Sequence, residues 1–351
     1  MPKVLLFDVV DNTPQLVIRN IEASEPGPGE VRYRVHAIGL NRADLLYMQG
    51  DHYTPTVLPT RIGYEACGVV DAVGAGVTDF KVGDRVSALP HGDVKYCVGG
   101  EFAITPAHFL SAWPDGFTAV EAAATWMQYL TAYYPLKETS QLGPGDAILI
   151  TAASSSAGLG AIQLSKLLGA KVIASTRTHE KRDFLLAAGA DHVVATSDGN
   201  VAGQILACTN NQGVRVVYDA VAGSFMNEYA GALAKKARIF VYGMMGGSPT
   251  VECGILPLVR AGAIIEPYSL INVLREPDAV HSGRDFLSQA LREGALRPIV
   301  DRVFRFEDAL AAYDYMNSGV QKGKIVLRTA LADDETPTHE HATVATRRRA
   351  D

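Results

Sequence analysis

The chain has 351 residues, of which 48% are apolar and 20% are charged, and its formal net charge is −6. This length predicts two domains, and the acidic balance argues against a nucleic-acid partner, which needs a basic surface. Asp8 interrupts the apolar run at the N-terminus, so we expect neither a secretory leader nor a membrane span of about twenty apolar residues. The four cysteines form no CxxC pair, which indicates reduced thiols and a cytoplasmic location.

The first part of the chain, up to about residue 115, has the pattern of a domain of short strands. Turn signals at 26–30 and 80–84 each precede a strand-like run. The runs, separated by Gly, Pro and Asp, are 31–37, 66–73, 84–89 and 101–104.

From about Thr118 onward, helical and strand-like segments alternate. Residues 119–134 predict one helix, because they are rich in Ala and contain neither Gly nor Pro. Alternation of this kind predicts an α/β fold with a doubly wound parallel sheet. The predicted strands of this sheet are 147–150, 171–175, 216–218 and 238–242. The chain is expected to return to the first domain after about residue 268, with helices at 285–293 and 307–317 and strands at 300–304 and 324–327.

The most informative segment is 148–161, where a fully apolar strand runs into a turn of very small residues and a helix begins at about Gly158. A dinucleotide needs this geometry, because its pyrophosphate approaches backbone N–H groups at a helix N-terminus. Relative to the G-x-G-x-x-G fingerprint, the first two glycines are replaced by small residues and the third is kept. The predicted contacts are Ser155, Ser156, Ala157, Gly158, Leu159 and Gly160.

The next strand ends at Thr176-Arg177, where an NAD site places an acid on the ribose 2′-hydroxyl. Thr176, Arg177 and Lys181 offer a hydroxyl and two cations instead, which would attract a 2′-phosphate. The alternative is that Arg177 and Lys181 are solvated surface side chains. The pattern favours NADPH.

These motifs, together with 39–44, 63–68, 73–77, 82–86 and 217–221, resemble the medium-chain dehydrogenase/reductase superfamily, in its quinone oxidoreductase and enoyl reductase branch. The resemblance covers about residues 1–328 and implies a GroES-like β-barrel catalytic domain plus a Rossmann cofactor domain. The implied bounds are 1–120 for the catalytic domain, completed by about 268–330, and 121–267 for the NADPH-binding domain. Residues 331–351 lack apolar periodicity and are expected to form a disordered tail.

The resemblance also predicts whether this chain keeps the catalytic zinc site of the superfamily. Zinc alcohol dehydrogenases of the superfamily place their ligands where this chain has Asn41, Tyr64-Glu65 and Met127. An amide, a phenol and a thioether are poor zinc donors, so we expect no catalytic zinc.

Without zinc, a hydride acceptor must be activated by hydrogen bonds or be intrinsically reactive, as quinones and conjugated carbonyls are. The resemblance implies Tyr53 as the leading donor to the substrate, with Asn41 beside it and Tyr64 as a secondary candidate. The alternative for each tyrosine is a packed side chain whose hydroxyl bonds to backbone or water.

Matching positions imply further cofactor contacts at Thr131, Gly243 and Lys324. They also imply a homodimer joined at the sheet edge near 240–270. Three functions remain open: an NADPH:quinone oxidoreductase, an enoyl or ene-reductase of a biosynthetic pathway, and a non-catalytic NADPH-binding protein.

Overall fold

The computed structural model describes residues 1–334. The strands are Lys3–Val10 (β1), Thr13–Asn20 (β2), Glu30–Gly39 (β3), Thr60–Arg61 (β4), Glu65–Val73 (β5), Arg85–Ala88 (β6), Phe102–Pro106 (β7), Leu110–Ala112 (β8), Ala147–Ile150 (β9), Lys171–Thr176 (β10), His192–Ala195 (β11), Val214–Asp219 (β12), Leu233–Val241 (β13), Ile264–Pro267 (β14), Val300–Arg305 (β15) and Lys324–Arg328 (β16). The α-helices are Arg42–Gln49 (α1), Ala119–Ala122 (α2), Trp126–Tyr133 (α3), Ser156–Leu167 (α4), Arg182–Ala187 (α5), Val201–Cys208 (α6), Phe225–Ala230 (α7), Ile255–Ala261 (α8), Leu270–Val273 (α9), Pro277–Arg292 (α10) and Ala309–Ser318 (α11).

The middle of the chain forms a six-stranded parallel sheet in the order β11-β10-β9-β12-β13-β14. Its central strands are apolar over their length because both faces are buried; Leu149 and Val217, for example, are fully buried. The strand order reverses between β9 and β12. In a doubly wound sheet this switch point opens a crevice at the carboxyl ends of the strands, where ligands bind.

The N-terminal part forms a three-stranded sheet (β2-β1-β4) and a seven-stranded sheet, in which β16 pairs with β3 and β15 pairs with β16. The C-terminal strands thus join the sheet of the first domain, with Leu327 opposite Ile38. A separate apolar core, which includes Val35, Phe306 and Tyr313, holds the two parts of the chain together.

The single helix predicted over 119–134 is instead two helices, α2 and α3. Near the break, the Thr125 hydroxyl donates to the Glu121 carbonyl, a side-chain bond that competes with regular helix bonding. The break gives α3 its own N-terminus. As a result the backbone N–H of Met127 is available to donate to the Glu65 carboxylate, at 2.9 Å.

The disordered tail predicted from residue 331 is wrong for its first residues, because Ala330–Asp334 form a short 3-10 helix and Ala332 is buried. The rest of that prediction, over 335–351, lies outside the described residues. Within residues 1–334, no helix has the length and apolar character required to cross a membrane.

Candidate active site

The turn between β9 and α4 has the geometry that a dinucleotide requires. Ser155 is the N-cap of α4, and its hydroxyl accepts the N–H of Gly158 at 3.1 Å. A Cβ at Gly158 would lie 2.6 Å from the Ala153 carbonyl oxygen, so only glycine fits there. The other candidates, Ser156, Ala157, Leu159 and Gly160, occupy the first turns of α4; Leu159 points into the core and would contribute only its backbone.

A buried carboxylate, Asp219, fixes this turn against β12. Its Oδ1 accepts from the Thr151 hydroxyl and from the Val221 N–H, both at 2.8 Å, and its Oδ2 accepts from the Tyr229 hydroxyl at 2.8 Å. Four protein donors, with the Ala222 N–H at 3.3 Å, surround one fully buried side chain. Sequence reasoning noted the motif at 217–221 but missed this role.

Positively charged side chains lie beside the turn, at the end of β10. Lys181 Nζ donates to Ser154 Oγ at 3.1 Å and to the carbonyl of Gln321 at 2.9 Å. The Arg177 guanidinium lies close to Gly319. Burial, followed by the charges of Arg177 and Lys322, lowers the pKa of Lys181. Thr176 is the last residue of β10, so the predicted group of Thr176, Arg177 and Lys181 does lie together at the mouth of the turn.

Two other predicted cofactor contacts lie near this crevice. Thr131, on α3, is buried and its hydroxyl donates to the Met127 carbonyl. Gly243 follows β13, where a Cβ would come within 2.9 Å of the Ala220 carbonyl oxygen. Strand β13 therefore passes close to the end of β12 at the edge where the cofactor site is predicted.

On the opposite side of the crevice lie aromatic side chains of the catalytic domain. Tyr53 is 54% exposed, and its hydroxyl oxygen accepts from the Ser269 hydroxyl at 2.9 Å, directly after β14. The His52 ring lies 4.1 Å from the Tyr53 ring and 6.4 Å from that of Tyr64. Burial raises the pKa of both tyrosines, and the nearby Asp44 adds to the rise at Tyr64, so both phenols stay protonated.

Asn41 has a different environment from the one expected. Lys324 Nζ donates to Asn41 Oδ1 at 2.7 Å and to Glu65, while Asn41 Nδ2 donates to the Gly39 carbonyl at 3.1 Å and to Glu65 Oε1 at 3.3 Å. The amide is therefore committed to protein partners, and Asn41 is buried. The structure does not support a substrate contact for this side chain.

Lys324 is also reassigned. Its side chain is 0% exposed and forms an ion pair with Glu65, which is 1% exposed. A phosphate contact would require the ammonium group to leave this buried pair, so the predicted cofactor role does not fit the geometry. The pair was missed because its members lie 259 positions apart in the sequence, and only the pairing of β16 with β3 brings them together.

Two family models match the chain: the alcohol dehydrogenase GroES-like domain over residues 27–133 and the zinc-binding dehydrogenase model over 157–272. A quinone oxidoreductase of Pseudomonas aeruginosa is 32% identical over 333 residues, covering 93% of this chain and 99% of that protein. The chain belongs to the medium-chain dehydrogenase/reductase superfamily, in its quinone oxidoreductase branch. A 2-haloacrylate reductase of a Burkholderia species is 31% identical, with coverage of 89% and 94%.

Solved structures of superfamily members have the same fold. The Escherichia coli quinone oxidoreductase complexed with NADPH superimposes with a TM-score of 0.83 at 26% identity, covering 93% of this chain and 99% of that one. The CurK enoyl reductase gives a TM-score of 0.81 at 27% identity, with the same coverage. The predicted fold class, a GroES-like domain with a Rossmann domain, is confirmed.

The residues at the superfamily's zinc position do not fit that metal. The Asn41 amide and the Glu65 carboxylate hold the Lys324 ammonium, and Tyr64 contributes a phenol. Residues 1–334 contain no group of three or more His, Cys, Asp or Glu side chains placed to hold a metal ion.

Proposed function

We propose that this protein is an NADPH-dependent oxidoreductase that transfers a hydride to a quinone or another conjugated carbonyl compound. The observation that carries the proposal is the capped N-terminus of α4 with Arg177 and Lys181 beside it and no acid at the end of β10. Similarity to quinone oxidoreductases, including one crystallised with NADPH, supports it.

The residues that would hold NADPH follow from the crevice. Backbone N–H groups of the first turn of α4, from Ser156 onward, would bind the pyrophosphate, which the helix dipole also favours. Arg177 and Lys181 would bind the 2′-phosphate. Thr131 and Gly243 would line the nicotinamide end. Bound NADPH supplies the hydride.

The catalytic domain would orient the acceptor and stabilise its oxygen. Hydride transfer to a conjugated system places negative charge on that oxygen, and phenol hydroxyls stabilise it by donating hydrogen bonds. Tyr53 suits this role, because its oxygen accepts from Ser269 and its own hydrogen remains free to donate to the substrate. Tyr64, beside the same His52 ring, is the second donor.

A second candidate activity is reduction of an activated carbon–carbon double bond. The similarity to a 2-haloacrylate reductase and to the CurK enoyl reductase favours it. The two activities differ in the fate of the proton: a reduced quinone takes protons from solvent, whereas an alkene carbon must receive one after the hydride.

The test is NADPH oxidation, followed by near-ultraviolet absorbance, against a panel of quinones, enones and enoyl thioesters, with NADH and a chelator as controls. We expect turnover with NADPH that survives chelation. Tyr53→Phe should lower kcat for enones about tenfold or more, with a smaller effect on quinones. Tight NADPH binding without reduction of any acceptor would instead favour a non-catalytic cofactor-binding protein.

We also propose a homodimer and a cytoplasmic location. Helix α8 exposes Ile255 at 66%, Leu256 at 62% and Val259 at 67%, next to the edge strand β14. A contiguous apolar surface of this kind is typical of a protein–protein interface. The four cysteines all lie within the described residues and form no disulfide, as expected in a reducing compartment.

A further inference from the structure

A histidine, His52, lies between the two tyrosines that are proposed to bind the acceptor oxygen. The centre of its ring is 4.1 Å from that of Tyr53 and 6.4 Å from that of Tyr64. On α1, the Tyr47 ring makes an edge contact with it at 6.1 Å. Since the Tyr53 hydroxyl is bonded to Ser269 across the crevice, the imidazole is held in the same wall of the crevice as both phenols.

The backbone fixes which ring nitrogen of His52 carries the proton. The Thr54 N–H donates to His52 Nδ1 at 3.1 Å. A backbone amide nitrogen can only donate, so Nδ1 is the acceptor and the proton of the neutral ring lies on Nε2. Because Nδ1 faces the backbone of its own turn, Nε2 points away from that turn.

The imidazole of His52 is neutral near pH 7. Burial lowers the pKa of His52, and protonation would place a hydrogen on Nδ1, against the Thr54 N–H. The ionisable side chains in ring contact with it are Tyr47, Tyr53 and Tyr64, and none of these phenols is a counter-ion for an imidazolium. The ring therefore presents one uncharged N–H.

This N–H has no acceptor among residues 1–334, and His52 is partly exposed. By contrast, Nε2 of His179 lies 2.9 Å from the Asp198 carboxylate. A donor with a fixed tautomer, set between two phenols and open on one side, is available to a ligand in the crevice.

We propose that His52 is a further catalytic residue, whose Nε2–H donates a hydrogen bond to the oxygen of the acceptor. The proposal rests on the reductase function above and adds a donor to the same site. Hydride transfer places negative charge on that oxygen, and a donor already in position stabilises the charge without reorganisation. A neutral imidazole keeps its proton in this role, so no bond to hydrogen breaks at His52.

Two substitutions separate the donor at Nε2 from the acceptor at Nδ1. A glutamine side chain reaches the place of Nε2 and can donate there, whereas asparagine reaches only the place of Nδ1 and can still accept from Thr54. We expect His52→Asn to lower kcat for cyclohexenone and benzoquinone about ten- to hundredfold, with KM changed less than about threefold, because the donor acts on charge that develops during the reaction.

His52→Gln should keep kcat within about fivefold of wild type, because it keeps the donor. His281→Asn is the matched control, since this histidine of α10 is exposed, and it should behave like wild type. Equal losses in His52→Asn and His52→Gln, or an unchanged kcat in His52→Asn, would show that His52 only shapes the turn and would overturn the proposal.

The pH profile distinguishes a neutral donor from an acid that gives up its proton. An imidazolium acting as the acid would make kcat fall about tenfold per pH unit above the pKa of His52. A neutral donor predicts that the ratio of kcat for wild type to kcat for His52→Gln stays constant from about pH 6.5 to about pH 8.5. Burial raises the pKa of Asp44 into this range, but both proteins contain Asp44, so its contribution cancels. A ratio that falls with pH would overturn the neutral donor.

A binding measurement separates this proposal from the proposed reaction. The probe is 4-nitrophenolate, whose oxygen resembles the anion formed by hydride transfer, and nitrobenzene is its uncharged control. The phenolate should bind the NADP⁺ complex of wild type in titration calorimetry, and His52→Asn should weaken that binding about tenfold while nitrobenzene binding stays the same. Phenolate binding that does not depend on His52 would overturn the donor. Binding that does depend on it, with no acceptor reduced, would overturn the reductase function but keep the donor site.

Discussion

Replacing Lys324 with Met should destabilise the protein strongly, because it would leave Glu65 charged and buried. The pair is 0% and 1% exposed, and the ammonium group also holds Asn41 Oδ1 at 2.7 Å. Removing one member of a buried ion pair costs about 3–5 kcal/mol, since the remaining charge has lost both solvent and counter-ion. The Met127 N–H and Asn41 Nδ2 still reach Glu65, so we expect the lower half of this range.

The informative comparison is with Lys324→Met/Glu65→Gln, which removes both charges and keeps an amide oxygen for the Met127 N–H. We expect this double variant to lose less than about 2 kcal/mol. Guanidinium unfolding followed by tryptophan fluorescence suits the measurement, because Trp113 and Trp126 are both buried in the folded protein. Equal losses in the single and double variants would show that the unpaired carboxylate is not the main cost.

Three further outcomes are expected. Arg177→Glu should weaken NADPH binding about a hundredfold and change NADH binding little; equal weakening of both would argue against a 2′-phosphate contact. Burial raises the pKa of Asp44 to about 7, so the folded protein holds a proton that the unfolded chain releases near pH ~4. The free energy of unfolding should therefore fall as the pH rises from about 4 to about 7. Asp44→Asn should flatten the plot of denaturation midpoint against pH, and an unchanged slope in this variant would show that another group causes the pH dependence. Val259→Glu should yield monomers in light scattering, whereas Val82→Glu, at a site that is also exposed, should not.

The fold was largely predictable, because its signals are local. The apolar run 147–150 and the small-residue turn after it define one strand, one turn and one helix between residues 147 and 167. The helix predicted over 119–134 shows the limit of such signals. No Gly or Pro marks its break, which depends on the Thr125 side chain and on a distant carboxylate, Glu65, that accepts the Met127 N–H.

The site was less predictable, because its side chains are assigned by contacts between distant segments. Asn41 was expected to face substrate, yet its amide is used by Lys324 and Glu65. Tyr53 is anchored by Ser269, which lies 216 positions later. The position of a residue in a motif indicated whether it lies near the crevice. Only the hydrogen bonds between distant segments show which of its polar atoms can still bind a ligand.

The pairing of β16 with β3 has a consequence for synthesis on the ribosome. Glu65 is made 259 residues before its counter-ion, a delay of roughly 13–52 s at the usual elongation rates. The strands of the parallel sheet, from β9 to β14, are all synthesised within that interval, whereas the first domain still lacks two strands and a buried positive charge. The inserted domain should therefore be native first, and a nascent chain that stalls before residue 324 should expose an unfinished N-terminal sheet to chaperones and proteases.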